Sequence, residues 1–100
     1  MKSQRFQNLV SKNPNNELFR FSLGQAFFEE ASFKEAITAF DFCLDAKPDW
    51  MMAAILKGKS LLALKQLDDA KTTLQIALEM AVSQHHEAPE ADIRKLLAAL

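Results

Sequence analysis

The side chains of this sequence that could perform chemistry begin with two adjacent histidines, His85 and His86, followed by Glu87. Imidazole and carboxylate groups are frequent zinc ligands and the usual groups of acid–base catalysis. Adjacent histidines do not share a helix face, however, and no other Cys or His stands at a spacing typical of a metal site. Neither histidine has an evident orienting partner. We therefore interpret this segment as a solvent-exposed connection, and we expect no metal site and no catalytic histidine.

Two pairs of adjacent carboxylates are the next candidates for acid–base chemistry. Asp68 and Asp69 stand at a predicted helix start, where acidic side chains cap a helix and stabilise its dipole, and we favour this structural role. Glu29 and Glu30 point in different directions around a helix, so only Glu29 could face a shared site. The sequence also contains no nucleophile–base pair and no glycine-rich phosphate loop. It therefore predicts a protein that is not an enzyme and needs no cofactor.

The composition argues against several other classes of function. The 100 residues include 12 Lys and Arg against 13 Asp and Glu, so no excess of positive charge favours nucleic acid or anionic lipid. No apolar run approaches the roughly 20 residues that span a bilayer, and residues 1–10 lack the apolar core of a signal peptide. Cys43 is the only cysteine, which excludes an internal disulfide. We expect a cytoplasmic protein that neither binds nucleic acid nor inserts into membranes.

The elements that position these side chains are predicted to be helices. Good helix formers fill long runs between two Gly and three Pro residues, and no alternating segment or hairpin turn indicates a strand. Asn15 or Asn16 is expected to cap the second helix, and Asp49 to cap the fourth. We predict helices over residues 3–12, 17–30, 34–47, 51–64 and 67–81, a connection over 82–88, and a final helix with Pro89 in its first turn.

The most informative feature of the sequence is that it repeats itself at an offset of 34 residues. Five identical pairs carry the repeat: Phe6 and Phe40, Pro14 and Pro48, Gly24 and Gly58, Ala36 and Ala70, and Thr38 and Thr72. A period of this length indicates stacked supersecondary units, each too small to bury its own apolar face. The sequence thus favours a scaffold that binds a partner over an enzyme.

Gly24 and Gly58 stand in the middle of predicted helices, where each costs about 1 kcal/mol relative to alanine. We attribute them to the close approach of a second helix backbone, with a small side chain opposite each glycine at Ala36 and Ala70. Large side chains are expected to fill the space beside these contacts, namely Phe27, Phe40, Leu61 and Leu74.

These residues resemble the tetratricopeptide repeat, whose pattern places Leu-Gly, aromatic, Ala, Phe, Ala and Pro at set positions. The matching residues are Leu23, Gly24, Phe27, Ala36, Phe40 and Pro48 in the first copy, and Gly58, Leu61, Ala70 and Leu74 in the second. Arg20 and Ala54 replace the first tryptophan of the pattern, and Val82 replaces its last proline. Cys43 takes a position usually held by alanine, which indicates a buried packing thiol. The resemblance covers about residues 3–82.

The resemblance implies an all-α fold of helical hairpins, stacked as a short right-handed α-solenoid. We expect a single domain over residues 1–100, with polar outer faces on both end helices, as the terminal units of a repeat array require. Its predicted parts are an N-terminal capping helix or half repeat over residues 1–14, repeats over 15–48 and 49–82, and a C-terminal capping helix over 88–100.

Tetratricopeptide proteins line a concave groove with the first helix of each hairpin, and the resemblance implies such a groove here. Its predicted residues, at helical spacings of three and four, are Leu18, Phe21, Gln25, Phe28, Glu29, Met52, Ile55, Lys59 and Leu62. Because most of them are apolar, we expect the groove to bind an amphipathic helix or an extended peptide of an unidentified partner protein. Two alternatives stay open. The stripe packs against neighbouring helices, the final one included, or it joins two copies, so that the protein is a monomer or a weak homodimer.

Some tetratricopeptide proteins bind the C-terminal carboxylate of heat-shock chaperones through Lys, Arg and Asn side chains. The corresponding positions here hold Phe21, Gln25 and Leu56, and a third repeat is missing. Because a carboxylate needs cationic donors, we expect this specificity to be absent. Trp50 has two interpretations, since it either packs against the fourth helix or stands exposed as a binding anchor.

Overall fold

The computed structural model of the protein describes residues 1–100 and contains six helices and no strand. Successive helices pack against each other, and α2–α3 and α4–α5 form the two most extensive pairs. The prediction of an all-α fold of stacked helical hairpins is confirmed. The helices are α1 (Lys2–Lys12), α2 (Glu17–Glu29), α3 (Phe33–Ala46), α4 (Met51–Ala63), α5 (Leu67–Ser83) and α6 (Glu87–Ala98).

The connection predicted over residues 82–88 is wrong at both of its ends. Helix α5 continues to Ser83 and α6 begins at Glu87, so only residues 84–86 lie between them. Polarity alone does not end α5, which continues through Val82 and Ser83 until the chain turns at the left-handed His85. Pro89 lies in the first turn of α6, where its missing N–H removes no helical hydrogen bond.

The helix starts confirm one predicted cap and contradict another. Asn16 caps α2, where its side-chain oxygen accepts a hydrogen bond from the backbone N–H of Phe19 at 3.0 Å. The residue before α4 is Trp50 rather than Asp49, and no side chain caps that helix. The reason is a turn over residues 47–50, in which the N–H of Trp50 donates to the carbonyl of Lys47 at 3.1 Å. This turn places Asp49 one residue too early to act as the cap.

Three of the helix ends close with a residue in the left-handed conformation. The φ angles are 61° at Ala31, 60° at Lys65 and 59° at His85, and none of the three residues is glycine. In each case the next N–H donates five residues back, as from Ser32 to the carbonyl of Phe27 at 2.8 Å, which is the Schellman motif. Left-handed backbone costs an L-residue roughly 1–2 kcal/mol, so these turns carry local strain.

The two glycines meet large side chains rather than a second helix backbone. A Cβ atom on Gly24 would lie 2.6 Å from Cε1 of Phe40, and one on Gly58 would lie 2.6 Å from Cδ2 of Leu74. Phe40 and Leu74 are both fully buried. The predicted close contact in each hairpin is therefore confirmed at both glycines, but the atoms in contact belong to a side chain and not to a helix backbone. Each glycine makes room for a side chain of the following helix to lie directly on it.

The core consists of two clusters that follow each other along the array. The first surrounds Phe40 and includes Ala36 and Cys43 of α3 together with Ala53 of α4. The second joins α4, α5 and α6, and its members are Met51, Ala54, Ile55, Leu74, Ala77, Ala81 and Ile93. Because Ile93 is fully buried, α6 is an integral part of the second cluster.

Candidate partner-binding surface

The aromatic residues of the predicted groove in α2 pack against other aromatic rings. The ring of Phe21 stacks on that of Trp50, with centroids 4.8 Å apart, and lies 5.8 Å from the ring of Phe40. Phe28 meets the ring of Phe33 edge-on at 5.6 Å. The stacking favours the packing interpretation of Trp50. Phe21 and Phe28 are half-buried and offer only part of their surface to a partner.

The apolar groove residues of α4 are partly covered by the final helix. Ile55 is only 5% exposed and belongs to the same core cluster as Ile93 of α6, while Leu62 packs against that cluster. Met52 lies on the same helix but stays 41% exposed. Helix α6 therefore covers one part of the predicted stripe and leaves another part open.

Besides the exposed Glu29, the open part of the stripe includes two pairs of side chains, one member of each pair on α2 and the other on α4. Leu18 and Met52, 34 residues apart in the sequence, are exposed by 64% and 41%. Gln25 and Lys59 stand at the same offset, and Gln25 is exposed whereas Lys59 is half-buried. We call these four residues the α2–α4 face. It combines two apolar contacts with one amide and one cation.

A cleft lies between α4 and α6 beside Met52 and Lys59. Its volume is about 230 Å³, and most of its lining is apolar. Asp92 of α6 also lines it, and neither Lys59 nor Asp92 forms an ion pair. The residues that define this α4–α6 cleft are Met52, Ile55, Lys59, Ala88, Pro89, Asp92, Ile93 and Leu96.

A polar contact that the sequence did not predict fixes α1 against the end of α2. The carboxylate of Glu30 accepts hydrogen bonds from the backbone N–H of Ser3 at 3.0 Å and from its hydroxyl at 2.6 Å. These bonds lower the pKa of the Glu30 carboxyl below its ordinary value. Beside them, Lys2 pairs with the predicted groove residue Glu29 at 3.2 Å. Glu30 thus acts as the N-terminal cap of a helix that lacks one of its own.

The other side chains with possible chemistry are not among the four residues of the α2–α4 face. Cys43 is fully buried, and burial raises the pKa of its thiol to about 11, so the packing interpretation is confirmed. His85 and His86 are exposed in the turn between α5 and α6, and Asp69 lies in the first turn of α5. Arg20, which replaces an expected tryptophan, places its guanidinium 4.1 Å from the ring centroid of Phe42.

None of the six helices is both long and apolar enough to cross a membrane.

Comparison with known proteins shows which of them share this fold. No curated protein matches the chain significantly in sequence. A protein of Bordetella parapertussis, BPP2914, has a solution structure that matches with a TM-score of 0.86 and 22% identity, over 99% of this chain and 86% of that one.

Two further solved structures carry the name of the repeat. A tetratricopeptide repeat domain protein from Salinibacter ruber matches with a TM-score of 0.75 and 20% identity, over 86% of this chain and 87% of that one. The first TPR of Spaghetti (RPAP3), bound to the HSP90 peptide SRMEEVD, matches with a TM-score of 0.76 and 18% identity, over 96% of this chain and 77% of that one. Identities this low establish a shared fold alone.

The family comparison covers more than half of the chain. The family model described as anaphase-promoting complex, cyclosome, subunit 3 matches residues 5–77, which span most of α1, all of α2 to α4 and most of α5. These residues also include both copies of the 34-residue repeat up to Ala77. The chain therefore belongs to the family of this subunit-3 model, within the tetratricopeptide repeat proteins.

Proposed function

We propose that this protein is a non-catalytic interaction module whose α2–α4 face binds a peptide or a short helix of a partner protein. The observation that carries the proposal is the exposure of Leu18 and Met52, which the surrounding helices leave open although both are large and apolar. Since they occur at the same place in two successive hairpins, they form two matched contact points. Gln25 and Lys59 supply hydrogen-bond donors beside them.

Two findings support a protein partner. The chain belongs to a family of tetratricopeptide type, and a structure with the same fold, the first TPR of Spaghetti, was solved with an HSP90 peptide. The chain itself lacks the cations that a chaperone carboxylate needs, because Phe21 and Leu56 stand at two of the three positions concerned. We therefore propose a partner segment that contributes apolar side chains, rather than a chaperone C-terminus.

The test begins with selection of a displayed library of random peptides against the intact protein, followed by affinity measurement with a selected peptide. Leu18→Glu and Met52→Glu should each weaken binding. Because burying such a side chain contributes about 1.5–3 kcal/mol, we expect roughly a 10- to 150-fold loss of affinity. Ile76→Glu is the matched control, since Ile76 is 47% exposed and lies on α5, outside the face. The proposal would be contradicted if all three variants lost affinity equally, or if none of them lost affinity.

A second copy of the chain is the alternative occupant of the same face. The two exposed apolar side chains would serve self-association equally well, and the protein would then be a homodimer with a role in assembly. Light scattering over a tenfold or greater range of concentration separates the two functions. A constant monomer mass supports a foreign partner. A dimer that Leu18→Glu dissociates would make self-association the function.

A further inference from the structure

We propose that the α4–α6 cleft takes one large apolar side chain of the bound segment, and that an acidic and a basic residue flank this anchor. The acidic residue pairs with Lys59 on the α4 wall and the basic residue with Asp92 on the α6 wall. This inference rests on the proposed function and adds the chemistry of the partner to it.

The size of the cleft fits one side chain and excludes a whole helix. Its volume is about 230 Å³. For comparison, an engineered apolar cavity of about 150 Å³ holds one benzene molecule. A leucine, methionine or phenylalanine side chain therefore fits, whereas a helix about 10 Å in diameter stays outside the cleft. The partner backbone must then run along the rim, within reach of the polar side chains there.

The walls of the cleft are formed before any ligand arrives. Ile55 and Ile93 are 5% and 0% exposed and are held in the second core cluster, which fixes their positions. Pro89 adds a pyrrolidine ring, which restricts the backbone at this position. Since these groups are already ordered, a partner side chain that enters the cleft has little ordering entropy to offset.

The charges at the rim point to the flanking residues. Lys57, the other cation of α4, pairs with Asp41 at 2.7 Å, and Arg94 of α6 pairs with Glu90 at 3.1 Å. Lys59 and Asp92 line the cleft, yet neither forms an ion pair. One free cation and one free anion on opposite walls complement a segment that carries one acid and one base.

The experiment uses the intact protein and a displayed library of random twelve-residue peptides. We expect the selected peptides to share one Leu, Met or Phe with an acidic and a basic residue close to it in sequence. In ¹⁵N NMR spectra, a synthetic peptide of the consensus sequence should shift the amide signals of Met52, Lys59, Asp92 and Ile93. Ala88→Phe should block the cleft and reduce affinity at least tenfold, because Ala88 is exposed and lines it. Ala91→Phe, on an exposed position of α6 outside the cleft, is the matched control and should bind normally.

Charge reversal tests the flanking residues separately from the anchor. Lys59→Glu should weaken binding of the peptide by about two- to fivefold, the range expected of a partly exposed ion pair. The double variant Lys59→Glu/Asp92→Lys should prefer a peptide in which the acid and the base have exchanged places. If neither variant changes the affinity or the preferred order of acid and base in the peptide, the assigned partner chemistry is overturned.

The possible failures can be told apart. Suppose that the peptides shift only the amide signals around Leu18 and Gln25 and bind Ala88→Phe as tightly as the parent protein. This result would overturn the assignment of the anchor to the cleft but not the proposed function. Selection of no peptide at all would overturn both proposals. Concentration-dependent association of the protein that Ala88→Phe abolishes would assign the cleft to a second copy, against this inference.

Discussion

The contact of Gly24 with Phe40 leads to a prediction whose sign depends on the size of two opposing effects. Gly24→Ala removes a glycine from the interior of α2, which alone stabilises a helix by about 1 kcal/mol. The new methyl group would lie 2.6 Å from Cε1 of Phe40 and 2.9 Å from Cδ1 and Cζ. The ring is rigid and fully buried, so it cannot swing aside into solvent. Overpacking of this kind costs about 1–3 kcal/mol.

Because three ring atoms approach the methyl group more closely than van der Waals contact permits, we take the upper part of this range. The net effect is a loss of about 1–2 kcal/mol in the free energy of unfolding. For a domain of this size, 1 kcal/mol lowers the melting temperature by about 4–8 °C. Urea denaturation followed by far-UV circular dichroism, together with thermal melting, measures both quantities.

A double-mutant cycle shows whether the ring is the cause. In a Phe40→Ala background the same Gly24→Ala change should stabilise the protein by about 1 kcal/mol, since only the helix propensity is left. Phe40→Ala itself costs about 3–5 kcal/mol. The cycle therefore needs a parent stability in the usual range of about 5–15 kcal/mol. If Gly24→Ala leaves the stability of the parent protein unchanged or raises it, the close contact between Gly24 and Phe40 is not real.

Three further predictions follow from particular contacts. Ala31→Gly should stabilise the protein by about 1 kcal/mol in urea denaturation, because glycine adopts the left-handed φ of 61° without strain; a loss of stability would contradict the Schellman assignment. The lowered pKa of Glu30 stabilises the docking of α1 at neutral pH, and this contribution should disappear as the pH falls below the ordinary carboxyl value of 4.5. The protection factors of the α1 amides, which correct for the slower intrinsic exchange at low pH, should then fall in the parent protein but not in Glu30→Gln, whose α1 amides should be less protected already at pH 7. Cys43 is buried and has a thiol pKa of about 11, so it should react with iodoacetamide at pH 8 only as fast as the protein opens. Labelling should therefore slow in stabilised variants, and an unchanged rate would show that the thiol is exposed.

The helical framework could be predicted because its boundaries are marked by residues with strong local preferences. Pro14 and Pro48 end the segments before α2 and α4, and Asn16 caps α2 as expected. The end of α5 carries no such mark, since its left-handed residue is His85 rather than Gly. Ala31 and Lys65 adopt the same conformation after α2 and α4, whose ends were predicted to within one residue, so residue type alone does not explain the misplaced end of α5.

The candidate surface was predictable only as a face of a helix. Periodicity places Met52 and Ile55 on one side of α4, but it does not show which of them another helix covers. That depends on the packing of Ile93, which lies 38 residues beyond Ile55 in the sequence. The contact between Glu30 and Ser3 was missed for the same reason, because a carboxylate at the end of one helix gives no sign that it caps another.

The packing of each helix mainly against its immediate neighbours in the chain has a consequence for how the protein loses its structure. Stability in such an array is close to a sum of units and nearest-neighbour interfaces, so opening begins at the ends and moves inward. Helix α1, which contributes only Ser3 and Val10 to the buried residues, is held at its start by the hydrogen bonds from Ser3 to Glu30. We expect it to fray first, and α3 and α4, which have neighbours on both sides, to open last. A pulling force applied along the chain would then unzip the protein in steps rather than rupture it at once.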